Sequence, residues 1–481
     1  MGDGNKEDNF TLCVVTALPI VHSKPINMKK YSFFSLLPIL FFLLMISSCK
    51  KDQFDVEASQ KELGKNSDLS GHLKQTKTYS SEVVQSWIQM QLDLVRVPGG
   101  ATGFPRPASN FAYCGIALYE AVVPGMPAYQ SLVGQLTDFN PDMPEAEPGK
   151  AYHWPSSANA ALAYMNRNIF TNATPAQQNA ITALENSIAA GFSDVHPDIL
   201  ARSVAFGRAV AKEVLDWAVT DGSFTPRDPY QPPVGPGLWA PTPPNFPGAI
   251  GPYWGLFRVL VPGSLAGSAP PPPPAYSEDP SSEYYAMVKE VYDISQSLTE
   301  EQTAIGWYYA DVPGYVGGSH YIAILMQLLD LDGSALDKAA LAYAKSGIAS
   351  ADAQVGCWHA KYQYNVERPI RYIREVLGHT GWNPLFNTPG HPDYLSGHST
   401  NGGAVEVMFS DLFGHDFAFS NHTYDYKGFA PRHYDNFTDM AVEIGKARVY
   451  AGIHYTSSCV EGRLQGMKVA QNVLNTLQFM K

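Results

Sequence analysis

The chain has 481 residues, 45% of them hydrophobic and 12% aromatic, enough for a packed interior and at odds with a disordered protein. Charged residues make up only 16% and the formal net charge is -12, which argues against nucleic acid or an anionic membrane surface as partners. An anionic substrate would need a local cationic pocket working against that field.

Residues 1–49 have the organisation of an address label. Met28-Lys29-Lys30 is a charged start, Tyr31 to Ser48 is an apolar run, and Ile46-Ser47-Ser48-Cys49 closes it. A run this short, ending on small residues, predicts a signal peptide over 28–48, with an uncleaved anchor helix as the alternative. Met28 then competes with Met1 as the initiator. The Ile-Ser-Ser-Cys ending resembles a bacterial lipobox, which implies cleavage before Cys49, lipidation of its thiol and a lipid-anchored place in the cell envelope. Membrane contact is expected only through that anchor. Residues 50–80, polar and rich in Ser and Lys, predict a tether. Residues 81–481 predict a single all-α domain, long for one core but within reach of a large helical fold.

Apolar residues recur at helical spacing from Val83 to Val95, then over Phe111–Val123, Trp154–Phe170, Pro175–Ala190 and Pro197–Val219. Thr174-Pro175 is an N-cap followed by a proline in the first turn. Residues 222–282, loaded with Pro, Gly, Trp and Tyr, break the pattern. A linker is one reading of such composition. Trp239, Phe246, Tyr253, Trp254 and Phe257 are too apolar for a solvated tether and predict an ordered irregular loop at a pocket mouth. Helices resume at Ser282–Tyr292, after the capping box Thr299-Glu-Glu-Gln302, at His320–Leu331 and at Leu336–Gln363. The cysteines Cys13, Cys49, Cys114, Cys357 and Cys459 show no C-x-x-C spacing, which rules out a thiolate zinc site or a disulfide framework as organiser. Cys357 and Cys459 are expected as small buried hydrophobes.

Three motifs between residues 357 and 461 carry the chemistry. Lys361 and Arg368 stand seven apart and would share a face if their helix continued, although Pro369 would soon break it. Their neighbours Trp358, Tyr362 and Tyr364 are bulky, so charges placed there need partners. Ser396-Gly397-His398 opens a helix with a cap, a small residue and free amides, the makings of an anion cradle. Arg448 ends a helix predicted over Asp435–Tyr450, and His454 follows it after a gap.

Lys-x6-Arg-Pro, Ser-Gly-His and Arg-x5-His, in this order, resemble the signature of the vanadium-dependent haloperoxidase and type 2 phosphatidic-acid phosphatase superfamily, in its soluble bacterial branch. The resemblance runs from about residue 85 onward and includes Trp307-Tyr-Tyr-Ala-Asp-Val-Pro-Gly314 and Ala117-Leu-Tyr-Glu-Ala-Val-Val-Pro124. It implies a helical bundle of the acid phosphatase type. It further implies that Lys361, Arg368 and Arg448 neutralise the oxygens of vanadate or phosphate, with Ser396 and the Gly397 amide donating to them. His398 would be the general acid-base and His454 the axial group on vanadium or phosphorus. His391 takes a position at which family members differ by halide, hinting at bromide or iodide.

Two departures stand out. The residue four after the axial histidine is usually an Asp that orients the imidazole, and here it is Ser458. Ser458-x-x-Glu461 reads as a capping box for the last helix, which leaves Glu461, another carboxylate or nothing to support His454. Losing such a group weakens a metal site by about one or two orders of magnitude. Leu395 replaces the usual Pro before Ser-Gly-His. Three functions compete: a peroxidase oxidising halide with hydrogen peroxide at His454-bound vanadate, a phosphomonoesterase working without cofactor through a phosphohistidine, and an oxyanion-binding surface lipoprotein of weakened activity. The absence of a second apolar run of ~20 residues favours the first over the membrane-embedded phosphatases of the superfamily.

Overall fold

The computed structural model describes residues 74–96 and 107–481, and among these it contains thirteen α-helices and one short hairpin. The expected signal region, Cys49 and most of the tether lie outside the described residues. Thr76–Thr78 forms a 3-10 turn with Thr76 buried, so packed structure begins before the expected end of the tether at 80. No helix of the described residues is long and apolar enough to cross a membrane.

The first five helices are α1 (Glu82–Arg96), α2 (Pro107–Val122), α3 (Trp154–Ile169), α4 (Pro175–Ala190) and α5 (Pro197–Ala218). Local chemistry sets their starts. Thr174 and Gln177 exchange backbone and side-chain hydrogen bonds across the first turn of α4, and prolines occupy the first position of α4 and α5. α3 packs between α2 and α5, while α2 lies along α9 (Leu336–Tyr364). That long helix is rich in Ala, Gly and Ser and buried on nearly every side, so it forms the spine of the molecule. α6 (Glu283–Ser295), α7 (Glu300–Tyr308) and α8 (His320–Leu331) precede it, α7 opening on the predicted Thr299–Gln302 capping box.

The C-terminal half comprises α10 (Pro369–Glu375), α11 (Gly397–Phe413), α12 (Phe437–Tyr450) and α13 (Thr456–Thr476). Before α12 the antiparallel pair β1 (Phe419–Asn421) and β2 (Arg432–Tyr434) registers Phe419 opposite Tyr434. α11 packs on α9, α12 and most extensively α13. The α11–α13 crossing needs small residues: a Cβ on Gly403 would overlap the Arg463 carbonyl, and one on Gly466 the Thr400 carbonyl. Those two glycines let the helix bearing His398 sit against the helix that follows His454.

Two local expectations are corrected. Lys361 and Arg368 do not share a helix face, because α9 ends at Tyr364 and Asn365 turns left-handed at φ 48°. Arg368 instead sits at the position just before α10, with Pro369 in that helix's first turn. Ser458 does not cap the last helix: α13 begins at Thr456 with Tyr455 at its cap position, which puts Ser458 inside the first turn. The Pro-rich stretch is ordered, as expected of its aromatics. Trp239 and Trp254 are buried, Trp254 stacks on Trp358 at 4.8 Å, and the Trp239 N–H donates to the Asn365 carbonyl. Phe246 is the exception, 61% exposed.

Candidate functional site

Five chain segments converge on one cavity of about 520 Å³. Lys361 comes from the last turn of α9, Arg368 from the start of α10, and the 389–398 strap supplies His391, Asp393 and Ser396-Gly397-His398. Arg448 comes from the end of α12 and His454 from the turn before α13. Lys361, His391, Gly397, His398, Arg448 and His454 line the cavity, together with Ile250 and Trp254 of the Pro-rich loop. Arg368 and Ser396 are fully buried directly behind that wall.

The guanidinium of Arg368 is committed to the frame. Its Nε donates to the His391 carbonyl at 2.8 Å and one terminal nitrogen donates to the Ile453 carbonyl at 2.7 Å. The same nitrogen lies 3.1 Å from His454 Nε2, and the other lies 2.9 Å from His391 Nδ1. Lys361 donates to the carbonyls of Pro392 and Asp393 at 2.9 and 3.0 Å. Arg448 donates to the Tyr309 carbonyl, but its buried Nε has no partner. Ser396 caps α11 by accepting from the Ser399 N–H at 3.3 Å. Where a Cβ would stand on Gly397, nothing is closer than Gln354 Oε1 at 3.5 Å, so the amide end of α11 opens on the cavity.

Electrostatics follow from burial. Desolvation lowers Lys361 to about 7 and Arg368 to about 10, each opposed by Asp393. Burial also drives His398 down to about 4, with the Arg448 charge adding to the effect and Asp311 opposing it. His391 and His454 lie well below the usual imidazole range for the same reason, burial first and then the surrounding cations. All three imidazoles are therefore neutral at pH 7, beside two fixed guanidinium charges and a lysine that burial brings close to its titration range. Asp393 and, at the rim, Asp311 are the carboxylates acting on the three cations, which leaves a buried surplus of positive charge. Charge buried in this way is stable only with a counter-ion. The unpartnered Arg448 Nε, the open helix terminus and the neutral His454 fit a tetrahedral oxyanion such as vanadate or phosphate.

Three residues of the site have no place in the motif reading. Asp311 stands with Oδ2 3.4 Å from His398 Nε2. His320 lines the cavity beside Tyr309, stacked at 4.9 Å, and takes a hydrogen bond on Nε2 from Asn421. Asp393, inside the quoted His391-Pro-Asp-Tyr segment, has Oδ1 2.9 Å from His454 Nδ1. The carboxylate within ion-pair distance of the imidazole is therefore Asp393. Ser458, four residues after His454, has its hydroxyl 3.5 Å from the same Nδ1.

Known proteins share this fold. Residues 377–480 match the family model described as the VCPO second helical-bundle domain. A crystal structure of a bacterial vanadium-dependent iodoperoxidase superposes with a TM-score of 0.74 at 29% identity, covering 84% of this chain and 98% of that one. Two crystal structures of bacterial vanadium-dependent chloroperoxidase share the fold. The holo form has a TM-score of 0.58 at 15% identity, over 80% of this chain and 95% of that one. The apo form has 0.59 at 16%, over 84% and 99%. No curated protein matches the chain. The helical architecture, the match over the segment holding Ser396, Arg448 and His454, and the near-complete overlay on the iodoperoxidase together support the vanadium haloperoxidase superfamily.

Proposed function

We propose that the protein is a vanadate-dependent haloperoxidase that oxidises halide with hydrogen peroxide, iodide being the expected halide. The observation carrying this reading is the state of His454. Its Nε2 faces an arginine N–H, and arginine has no acceptor, so Nε2 holds a lone pair inside a pocket lined by Lys361 and Arg448. A lone pair there is what His454 would need to hold vanadate, and the overlay on the iodoperoxidase supports the choice of vanadate over phosphate.

In this reading Lys361 and Arg448 hold the oxyanion directly with the Gly397 amide at the start of α11, while Ser396 caps that helix from behind the wall. Arg368 acts through the two histidines it fixes. Bound vanadate would supply the Lewis-acid centre that activates peroxide toward halide. The residues supply the rest. His398, on the cavity wall with Asp311 at its Nε2, takes a proton and returns it. Negative charge bound beside it raises its proton affinity from the depressed value, toward the range where such transfer works at neutral pH. Trp254, Trp358 and Ile250 narrow the approach and keep the donors in a low-dielectric wall.

The test is triiodide formation by purified protein with peroxide, iodide and orthovanadate, repeated with bromide, beside hydrolysis of an aryl phosphate without vanadate. Halide oxidation that needs vanadate is the expected result. Phosphate ester hydrolysis with no halide oxidation would assign the site to a phosphatase, and activity in neither would leave an oxyanion-binding protein. His398→Ala should lose turnover and keep vanadium, whereas His454→Ala should lose the vanadium.

A further inference from the structure

The position four residues after His454 holds a serine, yet the imidazole is not without a carboxylate. Donor inventory fixes the ring's state. Arg368 presents an N–H to Nε2 at 3.1 Å, and a neutral imidazole that accepts on Nε2 carries its proton on Nδ1. Nδ1 faces Asp393 Oδ1 at 2.9 Å. The arginine contact on Nε2 sets the tautomer, and the carboxylate 2.9 Å from Nδ1 stands where the Nδ1 proton would point.

We propose that Asp393 is the positioning residue for His454: its carboxylate, supplied from the strap before α11 and not from α13, holds the Nδ1–H tautomer and keeps Nε2 unprotonated, with the lone pair that would hold the oxyanion. The strap is built for this. Lys361 grips the carbonyls of Pro392 and Asp393, the Asp393 N–H donates to the Val366 carbonyl at 2.9 Å, and Ser458 donates to the Asp393 carbonyl at 3.2 Å. The serine that replaces the usual carboxylate therefore anchors the backbone of the residue that takes over the role. Asp393 is fully buried, and of the charged or ionisable groups around it the His454 ring at 2.9 Å is nearer than Arg368 at 3.9 Å. Orientation of a ligating histidine by such a group is worth about 10- to 100-fold in metal affinity.

The competing role is simple countercharge to Lys361 and Arg368, and the two roles predict opposite signs. This inference rests on the vanadate reading for the identity of the ligand only; the tautomer is a property of the protein alone. The experiment is nitrogen-15 NMR of histidine-labelled protein without ligand, the His454 signal identified by its loss in His454→Gln, together with equilibrium binding of orthovanadate and of inorganic phosphate. The wild type should show Nδ1 protonated. Asp393→Asn should bind orthovanadate about 10- to 100-fold more weakly, while phosphate, held by charge alone, binds as before or more tightly. Placing the carboxylate on the helix in Asp393→Asn/Ser458→Asp should restore most of the orthovanadate affinity. Circular dichroism checks the fold, and Asp393→Glu, which keeps the carboxylate, should lose less than Asp393→Asn. An Nε2–H tautomer in the wild type overturns the proposal, as do tighter orthovanadate binding in Asp393→Asn, equal weakening of both anions, or no recovery in the double variant. A wild type with the expected tautomer and binding but no halide oxidation would sink the activity and leave the positioning role standing.

Discussion

Arg368→Lys keeps the charge and removes the fork, which makes it a sharp probe of what this cation does. The guanidinium serves two buried carbonyls, those of His391 and Ile453, and touches a ring nitrogen of each of two histidines. A lysine ammonium is a point donor on a different stem and cannot reach both carbonyls in their present places. Leaving a buried acceptor unsatisfied costs about 1–3 kcal/mol. Two such carbonyls, with part of the charge-assisted bonding recovered by the ammonium, put the loss at about 3 kcal/mol. Against a typical domain stability of roughly 5–15 kcal/mol that is readily measured. The assay is urea unfolding at pH 7.5 without vanadate or phosphate, with Arg448→Lys as the comparison. Arg448 has one carbonyl partner, Tyr309, and an unpartnered Nε, so its lysine variant should lose less stability and more anion affinity. An Arg368→Lys loss below about 1 kcal/mol, or a reversed order between the two variants, would refute the division between frame and cavity wall.

Asp311→Asn removes a charge that raises the His398 pKa, so the acid limb of the iodide-oxidation profile should move to lower pH; an upward move would exclude Asp311 as the partner of His398. His320 falls from 6.5 to about 3 on burial, so the unfolded chain binds a proton between those values that the folded one refuses. Stability therefore declines as pH drops below 6.5, by up to about 1.4 kcal/mol per pH unit from this group. His320→Gln should reduce the difference in unfolding free energy between pH 7 and 4.5 by about 2 kcal/mol, and an unchanged difference would count against a buried neutral imidazole. Gly466→Ala should cost about 1–3 kcal/mol and weaken anion binding, because the new methyl pushes on the Thr400 carbonyl near the start of α11. Gly381→Ala, with open space around its Cβ, is the control and should do neither.

Much of this site was legible because its parts are local signals. Thr174, Thr299 and Ser396 announce helix starts through side chains that bond the backbone three residues on, and the structure holds each bond. The residues with motif spacing could be picked out because residue type and order survive without coordinates. Asp393 could not be tied to His454 from its place in the chain, since 61 residues separate them and only the α11–α13 crossing closes the gap. Lys361 and Arg368 misled for the opposite reason. Their spacing of seven fits a helix, and the left-handed Asn365 that ends α9 is an asparagine like many that do not. α9 itself buries nearly every face, so it offers little amphipathic pattern to read, only composition.

An acidic protein holding three buried cations has to keep them from being neutralised by its own carboxylates. The geometry does so by supplying backbone carbonyls instead. Lys361 is held by Pro392 and Asp393, Arg368 by His391 and Ile453, and Arg448 by Tyr309, all through main-chain oxygens. Carbonyl dipoles fix a cation's position and leave its net charge in place, whereas a paired carboxylate would cancel it. The exception is Asp393, 3.9 Å from Arg368 and 2.9 Å from the His454 imidazole. In the proposed reading its single charge is directed at the ring that would hold vanadate, while the surplus positive charge stays on the cavity wall. A site that balanced every cation with a carboxylate would be more stable empty and would have no hold on an oxyanion.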